Sequence, residues 1–288
     1  MKKIQYIFAA FALAASLCFV SCQKEEENNT PEENPSGVDY FADLEPSTET
    51  ENRHAILEEY TGVNCGYCPD GHRISRDLAQ QYEGRYFAIN IHQGSFANKY
   101  TTQWGNALAN QAGIDSYPSG TINRHVFSGS MSQNRGYWAQ RVNYITNRTS
   151  CVNLAARCVV DTTSREMQIC VKGRYTAKSD SATNMLNIAL LQDSILGPQS
   201  DPNNYNAADH VGSKYRHMHM LRDLITDQWG DEITTTKRGD TFEKRYTYQI
   251  PEKISDEKVV LKDIEVIVFV ALGRSEITTG IKADIILK

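Results

Sequence analysis

Positive charge is scarce in this 288-residue chain: 30 Lys and Arg stand against 35 Asp and Glu, a formal net charge of −5. Nucleic-acid binding wants clustered cations, and no basic stripe interleaved with aromatics occurs. Nucleic acid is therefore excluded as a partner. Several catalytic signatures are missing too. There is no serine-nucleophile motif and no phosphate loop, and Asp201-Pro202-Asn203-Asn204-Tyr205-Asn206 offers oxygen ligands without the EF-hand spacing or its closing Glu. No second Cys-x-x-Cys and no His pair at ligand spacing accompanies Cys65-Gly66-Tyr67-Cys68, which argues against zinc. The chain implies no cofactor.

A charged fraction of 23% and a hydrophobic fraction of 40% describe an ordinary globular protein, long enough for about two domains. The first 21 residues read differently. Lys2-Lys3 is a basic n-region and Ile4 to Val20 an apolar h-region, followed by Ser21-Cys22 and then Gln23-Lys24-Glu25-Glu26-Glu27. A small residue just before a Cys at the end of an h-region resembles the bacterial lipoprotein signal. That resemblance implies cleavage between Ser21 and Cys22, with the Cys22 thiol taking a diacylglyceryl group and its amine an acyl chain such as palmitate. Several acyl chains exceed what stable anchoring requires, at about 0.8 kcal/mol per buried CH₂. The expected anchor is lipid rather than a helix, and the expected partner is outer-membrane lipid. The Lys-then-acidic run after Cys22 is similar to the export signal of surface lipoproteins of Bacteroidetes. Residues 22–52, rich in Glu, Asn, Pro, Ser and Thr, read as a disordered tether.

The chemistry centres on Ala55 to Tyr82. Ala55-Ile56-Leu57 through Tyr60 reads as a strand, Thr61-Gly62-Val63-Asn64 breaks it, and the Cys65/Cys68 pair follows at once. Pro69 suits a helix's first turn, and Ile74, Leu78 and Tyr82 mark one helical face. A sulfur at a helix N-terminus is favoured as thiolate and can attack a disulfide; a second sulfur one turn on can resolve the product.

These residues resemble the thioredoxin fold. Gly113-Ile114-Asp115-Ser116-Tyr117-Pro118 matches the segment that carries the family's cis-proline, at Pro118. Glu59, six positions before Cys65, falls where the family keeps a buried proton-relaying carboxylate. The implied redox set is Cys65, Cys68, Glu59 and Pro118. One departure is that Asn64 stands where active thioredoxins usually have Trp.

Downstream, Tyr86 to His92 alternates as a strand, a helix is expected from Thr101 to Gln111 ending at Gly113, Thr121 to Phe127 as a strand, and Gln133 to about Thr149 as a helix. From Cys151 the periodicity changes to two, with strands expected near 152–160, 167–173, 185–193, 242–250, 264–272 and 280–287. Leu196 to Asp240 is an insertion too long for a plain connection, with a helix expected near Met220 to Trp229. The expected fold class is α/β plus all-β: signal peptide 1–21, tether 22–52, a thioredoxin-like domain at 53–150, and an antiparallel β-sandwich-like domain at 151–288 carrying the insertion.

A lipoprotein signal, a thioredoxin-like half and a β-rich half together resemble the twenty-eight-kilodalton outer-membrane lipoprotein family of Bacteroidetes. The carrying residues are Glu58-Glu59-Tyr60-Thr61-Gly62, Cys65, Cys68-Pro69 and His217-Met218-His219-Met220-Leu221-Arg222. The resemblance implies a surface lipoprotein at the outer membrane, of adhesin or receptor type, with an extracellular protein or host partner. The alternative is an envelope-anchored thiol-disulfide oxidoreductase using Cys65 and Cys68. Of the seven Cys, Cys18 leaves with the signal and Cys22 is acylated. If Val160 pairs with Met167, Cys158 and Cys170 point to opposite faces, which disfavours a bridge between them. Cys151, Cys158 and Cys170 thus read as structural thiols, with a bridge from Cys151 left open. His72, four residues after Cys68, could tune a thiolate or be an ordinary helix residue. His210, His217 and His219 could bind a metal; a structural role packing the insertion is the alternative. Three Asp-Ser/Thr tripeptides, at Asp161, Asp180 and Asp193, resemble an O-glycosylation sequence.

Overall fold

The computed structural model describes residues 38–288, so the signal peptide, Ser21, Cys22 and the tether through residue 37 lie outside the described residues. Strand β1 (Ala55–Thr61) is buried along its whole length, and its AILEEYT sequence turns alternate side chains to opposite faces. Helix α1 (Cys68–Gln81) follows, with Pro69 in its first turn. Then come β2 (Tyr86–His92), α2 (Gly105–Ala112), β3 (Ser119–Ile122), β4 (Gln133–Asn134) and α3 (Trp138–Thr146). Gly113 closes α2 in the left-handed conformation, at φ 68°. The expected helix from Gln133 therefore starts only at Trp138.

The second half is strand-rich: β5 (Val152–Val160), β6 (Glu166–Tyr175), β7 (Asn184–Gln192), β8 (Ile195–Gly197), β9 (His210–Val211), β10 (Lys214–His217), β11 (Met220–Leu224) and β12 (Asp231–Ile233). It finishes with β13 (Thr241–Gln249), β14 (Lys253–Ile254), β15 (Glu257–Lys258), β16 (Ile264–Ala271), β17 (Ile277–Lys282) and β18 (Asp284–Leu287). The segment expected as a helix near Met220 is strand β11. Its Met220, Leu221 and Leu224 are buried across a sheet rather than along a helical stripe.

These strands build a mostly β molecule with mixed sheets. The nine-stranded sheet has the order β17-β16-β7-β11-β2-β1-β3-β4, with β12 also on β7. β1 and β2 run parallel, β3 antiparallel to β1. β11 is the joint: it lies antiparallel to β7 and meets β2 in parallel at Met220–Asn90. Asn123 adds a second joint, accepting from Ile56 N and donating to His54 O and Ile277 O. The segments 53–150 and 151–288 thus share one sheet, and from Tyr40 to Lys288 the chain is one compact unit. The change of periodicity at residue 151 is a change of layer, not an interruption of the sheet.

One face of this sheet, carrying Ile56, Tyr60, Ile89, Ile91, Ala189 and Leu191, is covered by Leu108, Ala109 and Ala112 of α2. The other face is shared. Leu57 and Tyr86 pack under α1 and α3, against Leu78, Trp138 and Ile145. Leu186, Ile188 and Leu190 pack against a four-stranded sheet of order β13-β6-β5-β18 through Cys158, Val160, Met167 and Ile169. Two sheets face each other as a sandwich would, but one of them continues into the first half, and β18 runs parallel to β5. Cys158 opposes Ile169 and Arg157 opposes Cys170, so the two thiols take opposite faces.

Part of the expected tether is packed instead: Phe41, Leu44 and Pro46 are buried, and residues 47–52 are exposed but tied down through Ser47 O, Glu49 O and Glu51 O. Phe41 and Leu44 lie against Val159 and Cys170 on the outer face of the four-stranded sheet, and Arg157 bonds Tyr40 O and Asp43 Oδ1, each at 2.6 Å. Two apolar side chains in a polar stretch, with Tyr40, suffice to cover Val159 and Cys170. Among the described residues no helix is long and apolar enough to cross a membrane.

Candidate functional site

The end of β1 and the start of α1 place Cys65 and Cys68 5.4 Å apart at Cα, joined as a disulfide. Cys68 opens the helix and is fully buried; Cys65 is 4% exposed. The Tyr117–Pro118 bond is cis, and Pro118 sits against the same helix turn. Gly71 marks the point of convergence. A Cβ there would stand 2.6 Å from Glu59 Oε1 and 3.2 Å from both Pro118 Cβ and the Trp138 ring, so no side chain fits. Residues three apart share a helix face, so Glu59 lies beneath the face that carries Cys68.

Glu58 and Glu59 are neighbours with opposite fates, because β1 turns them to opposite faces. Glu58 receives Arg124 through Nε at 2.9 Å and Nη2 at 2.6 Å, and the Thr121 hydroxyl at 2.8 Å. Glu59 is 0% exposed, and neither carboxyl oxygen has a hydrogen-bond partner in the structure. Burial pushes its pKa well above the ordinary carboxylate value. Burial therefore favours the protonated form of the Glu59 carboxyl, beneath the helix face that carries Cys68.

His72, one turn past Cys68, lies 3.7 Å from Glu59 Oε1 through Nε2. Nε2 is also 3.0 Å from Thr61 Oγ1, and Nδ1 is 2.9 Å from the Tyr215 hydroxyl. Burial, with His217 nearby, brings the His72 pKa down to about 3. His92, with both ring nitrogens unpartnered, and His217 are likewise held neutral by burial.

The long insertion crosses the disulfide loop. Gln199 Nε2 donates to Gly62 O and Cys65 O at 3.2 and 3.0 Å, and Ser200 N donates to Val63 O at 2.7 Å. A Cβ at Gly66 would stand 3.2 Å from Pro202 Cδ, so the strap lies close over Gly66. This strap explains the burial of Cys65. Beside it a cavity of about 330 Å³ is lined by Cys65, Tyr67, Phe96, Tyr117 and Pro202, with Tyr67 and Phe96 partly in solvent. Gln199, Ser200 and Tyr215 carry no motif; the length of the insertion, its histidines and the Asp201–Asn206 run flagged the region but not these contacts.

The structure gathers Cys65, Cys68, Glu59 and Pro118, but not the three insertion histidines. His210 binds Asp201 at 3.1 Å, His217 binds Pro198 O at 3.1 Å, and His219 binds Glu265 at 2.7 Å. Each has its own partner, and His219 sits at a bend in the chain, with φ 51°. His219 does join Asp193 and Glu265, whose ligand atoms lie within 4.8 Å of one another. Lys282 already contacts Glu265 at 3.0 Å, and the two carboxylates hold the His219 pKa up despite burial, so the group forms a balanced ion-pair network.

Comparison with known proteins adds the family. A family model described as outer membrane protein Omp28 matches residues 105–278, a span beginning after Cys68. HBP35 of Porphyromonas gingivalis has a similar structure, with TM-score 0.64 and 17% identity over 82% of this chain and 76% of that one. A domain of the outer membrane lipoprotein Omp28 from Porphyromonas gingivalis aligns over 48% of this chain and 91% of that one, at 18% identity and TM-score 0.32. No curated protein matches the chain.

Proposed function

Because the chain belongs to the Omp28 outer membrane protein family, we propose that it is an outer-membrane lipoprotein, anchored by acylated Cys22, that carries a thioredoxin-like disulfide-exchange centre. The observation that supports exchange is Glu59. A buried carboxyl with no partner costs roughly 1–3 kcal/mol and adds no packing that an apolar side chain would not supply. Such a group is useful where a proton must be given to a sulfur as it leaves a disulfide. In this reading Cys65 is the sulfur attacked from the aromatic cavity, and Cys68 is the sulfur released toward Glu59. A Cys68→Ala chain should then trap mixed disulfides at Cys65 when exposed to envelope proteins bearing disulfides, the Cys65 thiolate attacking one sulfur and expelling the other as thiolate. Absence of any trapped species, with the lone Cys65 still open to a small alkylating agent, would count against exchange.

A second reading is favoured by the strap. Cys65 is 4% exposed, so the disulfide can be a static staple in a binding protein of adhesin or receptor type. Its contact surface would include Tyr67 and Phe96, and its partner would be an extracellular protein. Protease shaving of intact cells tests the surface location on which this reading depends: a chain protected until lysis rules it out.

A further inference from the structure

Glu59 is sealed from water, so a proton that it gives to Cys68 must be replaced from elsewhere. The hydrogen bonds around His72 show a route, and their direction can be worked out from the far end. Asn206 Nδ2 can only donate, and it lies 2.7 Å from the Tyr215 hydroxyl oxygen. Tyr215 accepts there and turns its own O–H to His72 Nδ1, 2.9 Å away. A neutral imidazole that accepts at Nδ1 carries its proton on Nε2, the nitrogen that faces Thr61 and Glu59. His72 and Tyr215 both line a second cavity, of about 460 Å³, whose walls include Arg76, Asp209 and the exposed Leu196.

We infer that His72 and Tyr215 form a proton relay from the water of this cavity to Glu59. The inference rests on the exchange reading and extends it to residues outside the Cys-x-x-Cys loop. A thiolate of an external dithiol attacks Cys65 sulfur; the Cys65–Cys68 bond breaks, and Cys68 leaves as thiolate and takes the Glu59 proton. Glu59 carboxylate regains a proton from His72 Nε2, His72 Nδ1 takes one from Tyr215, and cavity water restores Tyr215. The second thiol of the dithiol then displaces Cys65, which is protonated, and the dithiol closes to a cyclic disulfide. Two electrons pass from the dithiol to the protein disulfide.

The groups facing His72 are Glu59 and Thr61 from β1, Tyr215 and His217 from β10, Asp201 from the strap and, at longer range, His219. Arg76 and Arg216 line the same cavity, with Asp209 beside them, and burial brings the imidazole pKa down to about 3, so it stays neutral through the working range. It can therefore pass a proton without holding one. His72 and Tyr215 act through Glu59 and are positioning residues for the exchange.

The test compares wild type, His72→Gln and Tyr215→Phe in the mature chain, following reduction of the disulfide by dithiothreitol in H₂O and D₂O across neutral pH. His72→Gln should slow reduction by roughly tenfold or more and raise the solvent isotope effect, while the reduction potential stays unchanged, since a relay alters rate and not equilibrium. Tyr215→Phe keeps the ring and should shift both readouts in the same direction, so the relay stays testable if the Gln variant misfolds. Wild-type rates and isotope effects in both variants would overturn the relay and leave exchange standing. Slowing with a changed potential and an unchanged isotope effect would assign His72 a structural role. A wild-type chain that fails to exchange would overturn the exchange reading, and the relay with it.

Discussion

Replacing Glu59 with Gln removes one titration and changes little else in shape. In wild type the folded chain holds the Glu59 proton well above the ordinary value of 4.5, because burial disfavours the carboxylate. Between 4.5 and the raised folded value, the native state therefore binds more protons than the unfolded state. The stability of wild type must fall with rising pH in that window, by up to about 1.4 kcal/mol per pH unit. Glu59→Gln lacks this slope. At pH 4 the carboxyl is mostly protonated in both states, and the two proteins should differ by only about 1 kcal/mol, the scale of one altered buried polar contact. By pH 7 the balance should have moved toward the variant, by no more than about 3.5 kcal/mol, the limit set by that slope over the interval from 4.5. For a chain of this size, each kcal/mol moves Tm by roughly 2–4 °C. Guanidinium unfolding of the oxidised proteins at pH 4, 5.5 and 7 measures the difference. Parallel stability curves would refute the premise that Glu59 is buried and uncompensated. If Glu59 also donates to Cys68, the same variant should reduce more slowly although it gains stability relative to wild type as pH rises, a combination that global damage does not produce.

Four further outcomes follow from other parts of the structure. Arg124→Met leaves the Glu58 carboxylate buried with only Thr121, and should cost roughly 3–5 kcal/mol, read by chemical unfolding. Phe41→Ala should cost about 3 kcal/mol or more by the same measurement, because residue 41 is a core contact; no change would return the segment to the tether. Gln199→Ala removes the strap's bonds to Gly62 O and Cys65 O, and should speed reduction of the disulfide by roughly tenfold, the kinetic equivalent of about 1.4 kcal/mol. The neutral buried His72 and His217 bind fewer protons folded than unfolded, so they take stability away as pH falls from 6.5 toward 4; a double His72→Gln, His217→Gln chain should lose less stability over that interval in pH-dependent melts.

Much of the first half was legible because its signals are local. The β1 apolar run, the Cys-x-x-Cys before Pro69, and the helix-closing Gly113 each depend on neighbours within a few residues. The opposite faces of Cys158 and Cys170 followed from period-two alternation alone. What escaped depends on distant contacts. Met220 to Leu224 carries apolar residues that suit a helix or a strand, and the space between β7 and β2 decides for strand. Phe41 and Leu44 are too sparse to mark a core segment until Val159 and Cys170 supply the surface beneath them. The strap at Gln199 and the Tyr215–His72 contact join residues more than a hundred positions apart through hydrogen bonds, which leave no periodicity to read. The sandwich was anticipated, but the sharing of its large sheet with the first half rests on the few pairings of β11 and on Asn123.

Whether Cys65–Cys68 exchanges decides between a redox centre and a static staple. Equilibrating the mature chain with defined dithiol–disulfide buffers, and counting Cys65 and Cys68 thiols by alkylation, gives the reduction potential. An exchange centre should poise between about −120 and −270 mV and reach equilibrium within the time of the assay. A potential below about −300 mV with negligible exchange would mark a static bridge and contradict the central claim.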